Sequence, residues 1–334
     1  VGLMWGAPPP VLMIISRTPL RVSFCGGGTD LDWFSNSEGS GGMVTSMALD
    51  RHIHVTVNRR FDELVRVSYS KMELVEDFED LEHELVREAM RMTGVTSGVE
   101  ITTIADIPSR GTGLGSSSSV TVGLLNALHA YAGHDPSPRQ LAEQACEIEI
   151  DILGQPIGRQ DQYAASFGGI NSISFGRGTA EVIPLDVSMK TKNRMSEEFT
   201  LVFTGMTRSA SEVLSEDPES EADKLSRLRE IREHADSARD MLESGDLSGL
   251  GGLLKATWEK KRGISSGVSI DEIDEIYDQI MDSGATGAKL LGAGGGGFFL
   301  VHGNAKTREE LGNLGLVTMP LGIDEQGSTI VHRG

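Results

Sequence analysis

The stretch Pro108-Ser109-Arg110-Gly111-Thr112-Gly113-Leu114-Gly115-Ser116-Ser117-Ser118-Ser119 decides how the rest of the chain is read. It lies between a strand-like apolar run at 99–104 and a segment where Val120, Leu124, Leu125 and Leu128 fall at helical spacing. Gly111, Gly113 and Gly115 remove side chains where backbone N–H groups must converge on an anion, and the helix that follows adds the positive end of its dipole. The serine tetrad can cap that helix and offer hydroxyls to a metal–nucleotide complex. A flexible linker has a similar composition, but a linker is not expected between two strongly patterned elements. The segment is read as a phosphate cradle. It lacks the glycine-lysine-serine/threonine ending of the usual P-loop and does not fit the dinucleotide pattern.

Upstream of the cradle the chain is strand-rich. Residues 13–16 and 20–25, separated by Thr18-Pro19, read as two strands or one bent strand that the glycines 26–28 stop. Further strands are expected at 43–49, 52–57 and 64–68, and a helix at 80–92. Downstream, Leu141, Ala145, Ile148 and Ile152 share a face of a helix over 138–153, which the turn Gly154-Gln155-Pro156 ends. Strands at 170–175 and 180–185 lead to a polar stretch at 189–198, read as a domain boundary with the cut near Ser188. The second half opens with a strand at 199–203. Long charged helices follow at 222–243, 247–262 and 270–283, then strand, glycine turn and strand across 288–301.

A length of 334 residues is about twice that of a typical single domain, so two domains are expected, at 13–188 and 189–334 behind a flexible leader at 1–12. The formal net charge of −19 argues against nucleic acid or an anionic membrane as the main partner, since both attract lysine and arginine patches. No apolar stretch approaches the roughly 20 residues of a spanning helix. The two cysteines, Cys25 and Cys146, suggest neither a disulfide framework nor a cysteine metal site, which fits a reducing cytoplasm. The histidines show no metal-ligand spacing.

Three motifs together resemble the GHMP kinases, the family of galactokinase, homoserine kinase, mevalonate kinase and phosphomevalonate kinase. The first runs from Arg17 through Arg21, Gly26, Gly27, Gly28 and Thr29 to Asp30. The second is Pro108 with Gly113-Leu114-Gly115-Ser116-Ser117, and the third is Lys289 to Gly297. They occur in the family's order and span most of the chain. Within the family, the Gly26–Asp30 form of the first motif, the serine tetrad, Gln160-Asp161-Gln162-Tyr163 and Thr204-Gly205 with Arg208 resemble bacterial D-glycero-D-manno-heptose 7-phosphate 1-kinases. The fold implied is α+β in two domains, the N-terminal one like ribosomal protein S5 domain 2 and the C-terminal one ferredoxin-like, with the site in the cleft between them.

The resemblance assigns roles. Asp161 is expected as general base, with pure positioning of the hydroxyl as the alternative, and Arg21 as the arginine beside it. ATP is expected on Pro108, Gly111, Gly113, Leu114, Gly115 and Ser116 to Ser119. Mg2+ is expected on Glu149 and Ser117, with Ser116, Glu147 and Asp151 as competitors; the two acids lie about 200° round a helix from Glu149. The sugar phosphate is expected against Gly27, Gly28, Thr29, Asp30, Thr204 and Arg208, although Asp30 also reads as a plain helix cap for 31–34. Gly292, Gly294, Gly295 and Gly296 would support the phosphate loop. A distal phosphate needs cations; Arg208, Lys289, Arg59 and Arg110 are candidates, unranked. The reaction implied is transfer of the ATP γ-phosphate to the anomeric hydroxyl of heptose 7-phosphate, for nucleotide-activated heptose and surface polysaccharide. Rival readings are a kinase of free fucose or galactose, a catalytically idle sugar-binding regulator, and a decarboxylase. A homodimer is admitted as an assembly, with no residue arguing for it.

Overall fold

The computed structural model describes residues 13–107, 111–207, 221–263 and 267–334; the leader 1–12, Pro108, Arg110 and Arg208 lie outside the described residues. The strands of the first half are β1 (Met13–Cys25), β2 (Gly42–Arg59), β3 (Val65–Ser68), β4 (Met72–Val75), β5 (Val99–Ala105), β6 (Ile170–Gly176) and β7 (Thr179–Pro184). The second half adds β8 (Phe199–Phe203), β9 (Gly287–Leu290), β10 (Phe298–His302), β11 (Val317–Pro320) and β12 (Thr329–Arg333). The helices are α1 (Asp32–Ser35), α2 (Glu84–Thr93), α3 (Ser116–Tyr131), α4 (Pro138–Cys146), α5 (Gln160–Phe167), α6 (Met189–Glu198), α7 (Glu221–Ser244), α8 (Leu247–Lys261), α9 (Asp271–Asp282) and α10 (Ala305–Asn313).

Thr18-Pro19 does not divide the first apolar run. β1 is one strand with a register shift between Pro19 and Arg21, which absorbs the missing proline N–H. Likewise 43–49 and 52–57 are one strand, β2, which pairs with β1 along its length. The first part of its other edge pairs with β6 and the second part with β5. Beyond Thr18 every residue of β1 is buried, because α3 covers one face and α7 and α8 reach the strand from the second half.

The second sheet has the order β11-β8-β10-β9, all antiparallel. Taken in sequence order this is 4-1-3-2, with helices after its first and third strands, the ferredoxin-like arrangement that the resemblance implies. Trp258, Tyr277 and Phe299 pack together on one of its faces.

The polar stretch 189–198 is a helix, α6, begun by Ser188, whose hydroxyl accepts from Thr191 N–H. The segment 189–334 is also not one body in space: β12 pairs with β1 and completes the first sheet, and the bridge Leu49–Ile323 brings the chain there. The long helix expected over 138–153 is α4, started by a Ser137–Gln140 capping box, and then a π-helical turn at Glu147–Ile152. Among the described residues no helix is long and apolar enough to cross a membrane.

Candidate active site

The phosphate loop turns into α3 through Gly113 and Gly115, both with left-handed φ, +73° and +75°. Gly115 is the helix N-cap, and no side chain caps the helix there. The first N–H groups of a long helix are thereby left open to an anion. A Cβ on Gly115 would sit 3.1 Å from Asp161 Oδ2 and 3.2 Å from Arg21 Cγ, so the loop lies directly on that pair.

Arg21, on β1, donates from Nε to Asp161 Oδ1 at 2.6 Å and from Nη2 to Oδ2 at 2.9 Å. Its Nη1 donates to the Gly113 carbonyl at 2.5 Å. This fork holds the carboxylate in one plane. Asp161 sits in the first turn of α5. It stays accessible, with 22% of its side chain exposed against 5% for Arg21.

Glu149 lies in the π-helical turn and is fully buried, whereas its competitors Glu147 and Asp151 are exposed. Its Oε1 accepts from Ser117 Oγ at 3.0 Å and its Oε2 from Gln162 Nε2 at 2.7 Å. Burial pushes its carboxyl up to about 7 against the hydrogen bonds from Gln162, Ser118 and Ser117, and the nearby Asp161 charge pushes the same way. No lysine or arginine pairs with Glu149 among the described residues. A buried carboxylate with an exposed hydroxyl at its mouth is an oxygen donor set that fits a hard divalent cation.

The serine tetrad divides its work. Ser117 and Ser118 serve Glu149, and the Ser116 hydroxyl lies 3.2 Å from that of Thr112. Ser119, expected on the nucleotide, is instead fully buried and donates to the Pro19 carbonyl at 2.8 Å, tying α3 to β1. Leu114 is also buried, so only its backbone can face a ligand.

In the first motif, Gly27 and Gly28 are partly open while Thr29 and Asp30 are buried. The Thr29 hydroxyl lies against the carbonyls of Gly26 and Met43 and accepts from Met43 N–H, so it shapes the loop and has no hand free for a sugar. Asp30 is not a helix cap: the N-cap of α1 is Leu31, and no side chain caps the helix. Its carboxylate accepts from Gly28 N–H, Gln160 N–H and Gln160 Nε2 at 2.9–3.1 Å. Burial raises its pKa, and the Asp161 charge adds to this. Gly158 is required here, since a Cβ would meet Asp30 Oδ2 at 1.9 Å. Sequence reasoning quoted Gln160 and Gln162 as part of a motif but gave them no role; their signal is that they flank Asp161.

The C-terminal glycine loop presses on the phosphate loop. A Cβ on Gly292 would meet Gly113 Cα at 2.4 Å, and one on Gly297 would meet the Thr112 carbonyl at 2.3 Å. Gly295 N–H donates to Val268, and Gly296 packs on the Met206 carbonyl. Thr204 is spent here as well: its hydroxyl and N–H both donate to the Gly297 carbonyl at 2.9 Å. Of the cations considered for a distal phosphate, Arg59 stands exposed at the far end of β2. Lys289 is buried, with Nζ donating to the Ser23 and Phe24 carbonyls at 2.6 and 3.0 Å.

Comparison with known proteins gives two family matches, the GHMP kinases N terminal domain over residues 63–169 and the GHMP kinases C terminal domain over 238–312. The chain is 31% identical over 303 residues to the D-glycero-alpha-D-manno-heptose 7-phosphate kinase of Campylobacter jejuni, covering 85% of this chain and 88% of that one. It is 26% identical to the L-fucokinase/L-fucose-1-P guanylyltransferase of Bacteroides fragilis, over 86% of this chain but 34% of that longer protein. Among solved structures it resembles a D-glycero-D-manno-heptose 1-phosphate kinase from Bacteroides thetaiotaomicron, with TM-score 0.78 and 24% identity, covering 96% of this chain and 99% of that one.

Proposed function

Because the chain belongs to the GHMP kinase family, and is a sugar kinase and thus a phosphotransferase with a hydroxyl acceptor, we propose that its reaction is transfer of the ATP γ-phosphate to the anomeric hydroxyl of D-glycero-D-manno-heptose 7-phosphate. The product would be the 1,7-bisphosphate, a precursor of nucleotide-activated heptose made in the cytoplasm. The observation that carries the reading is the Arg21–Asp161 fork lying against Gly115, which puts an oriented carboxylate beside the phosphate cradle. For the substrate, support comes from the 31% identical relative.

In this reading the nucleotide phosphates lie on 111–118 and the start of α3. Glu149 and Ser117 would hold Mg2+, which when bound neutralises charge on the phosphate oxygens. The Asp161 carboxylate accepts the proton of the attacking hydroxyl. Arg21 on both its oxygens fixes the Asp161 carboxylate towards that hydroxyl, and in a loose transition state proton transfer follows P–O bond formation. Arg21 also places positive charge beside the transferring group. Gly27, Gly28 and the Asp30–Gln160 unit form the sugar side, and Arg208, outside the described residues, is assigned to the sugar phosphate by its motif alone.

A second reading, a kinase of a free sugar such as fucose, is favoured by the 26% identical fucokinase relative. ADP release with MgATP is to be measured against heptose 7-phosphate, mannose 6-phosphate, fucose, galactose and mevalonate. Selective turnover of heptose 7-phosphate is expected. Turnover of a free sugar alone would keep the kinase and remove the heptose; ligand binding without turnover would point to an idle regulator.

A further inference from the structure

Two lysines of the second half converge behind the phosphate site, and no role in the reaction described above uses them. Lys261, the last residue of α8, donates from Nζ to the carbonyls of Leu290 and Gly292. Lys289, on β9, crosses to β1 and donates to the Ser23 and Phe24 carbonyls. Neither ammonium has a carboxylate within ion-pair distance among the described residues. The charged groups facing Lys261 are Lys289 on β9, Arg21 on β1 and Asp30 beyond it; those facing Lys289 are Arg21, Lys261 and the Cys25 thiol. Asp161, the carboxylate that could serve this cluster, is already taken up by Arg21.

What these cations hold is the inner side of the two touching glycine loops. Arg21 Nη1 takes the Gly113 carbonyl, Arg21 N–H takes the Leu114 carbonyl, and Lys261 takes the Gly292 carbonyl. In a trans peptide the next N–H points opposite to the carbonyl, so the N–H groups of Leu114, Gly115 and Ala293 face away from the cations. None of these three donates to another backbone carbonyl among the described residues.

We propose that Lys261 and Lys289 are positioning residues that back the nucleotide phosphates: Lys261 fixes the second glycine loop with its N–H groups turned outward, Lys289 fixes β1 beside Arg21, which holds the first, and a bound polyanionic nucleotide supplies the negative charge they lack. The inference rests on the ATP-site reading given above. Burial holds the Lys261 ammonium well below the usual lysine range, with Lys289 and Arg21 adding to the shift, and burial pushes Lys289 down to about 8, with Arg21 adding to it. Near pH 8.5 the free protein therefore carries neutral amine here, and a polyanion restores the proton.

The test is calorimetric titration of the full chain with MgADP at pH 8.5, in two buffers of different ionisation enthalpy. At that pH the Glu149 carboxyl, at about 7, is already ionised. The nucleotide phosphates, which titrate near pH 6, take up nothing either. Uptake on the order of one proton per bound nucleotide is expected. Lys261→Met, half-buried and the gentler substitution, should reduce that uptake and weaken MgADP about tenfold, leaving the KM for the sugar within about twofold. Lys289→Met, if it folds, should do the same. Binding without proton uptake, or uptake unchanged in folded Lys261→Met, overturns the proposal. No MgADP binding at all overturns the nucleotide-site reading on which it stands.

Discussion

The two glycine loops of this protein use the same residue for opposite ends. In the phosphate loop, glycine brings the backbone onto side chains that carry chemistry: Gly115 rests on Asp161 and Arg21, and the start of α3 is left open. In the loop at 292–297, glycine brings the backbone onto backbone, Gly292 on Gly113 and Gly297 on Thr112. In the proposed reading one loop faces the ligand and the other braces it. A glycine-rich segment is thus not by itself a binding site; whether side chain or backbone lies within 4 Å of Gly115, Gly292 and Gly297 where a Cβ would stand distinguishes the two.

The comparison can be broken at its chemical end first. Asp161→Asn should lower kcat by about 10³ and change MgATP affinity by less than about threefold, measured by steady-state kinetics beside calorimetry. An equal loss of affinity would mean that Asp161 serves binding and not the reacting hydroxyl.

Glu149 sharpens it next. The folded protein holds this carboxyl's proton up to about pH 7, against 4.5 for the free group. Between those values the native state binds more protons than the unfolded chain, so metal-free stability should fall as pH rises from 4.5 to 7, by about 3 kcal/mol. Glu149→Gln should flatten that part of the pH–stability curve in denaturant titrations. A curve as steep as that of wild type would place the titration elsewhere.

At the bracing end, Gly292→Ala forces a Cβ to 2.4 Å from Gly113 Cα at a φ of +71°. It should cost about 1–3 kcal/mol of stability and raise the KM for MgATP about tenfold with a smaller change in kcat. Normal nucleotide kinetics in this variant would show that the two loops are independent. Smallest is the control outside both loops. Gly252, on α8, has nothing within 4 Å of its missing Cβ, and Gly252→Ala should stabilise the protein by about 0.5–1 kcal/mol without touching the kinetics.

Much of this was legible in the sequence because glycine, proline and apolar period act locally. The strand–loop–helix frame of the phosphate cradle, the separation of Glu149 from Glu147 and Asp151 round a helix, with the choice among them taken from the family resemblance, and three of the four strands of the 4-1-3-2 sheet come from residues near one another in the chain. Where local signals failed, a distant partner decided. Thr18-Pro19 reads as two strands or one bent strand, and β2 holds β1 together across it; the end of the chain reads only as shorter elements, and β1 takes β12 into the first sheet.

The sequence by itself determined the family, the order of the three motifs and the acids that stand beside the cradle, since each is written in short segments whose geometry is set by backbone chemistry. Only the tertiary structure decided which polar groups are free to act. Thr29, Ser119, Thr204 and Lys289 all carry hydrogen-bonding groups suited to a ligand, but each is saturated by a carbonyl that folding delivers, in three of the four from far along the chain. Lys261 gained its place, and β12 its sheet, in the same way. Whether a donor serves a ligand or the fold depends on desolvation and on partners that a linear reading does not bring together.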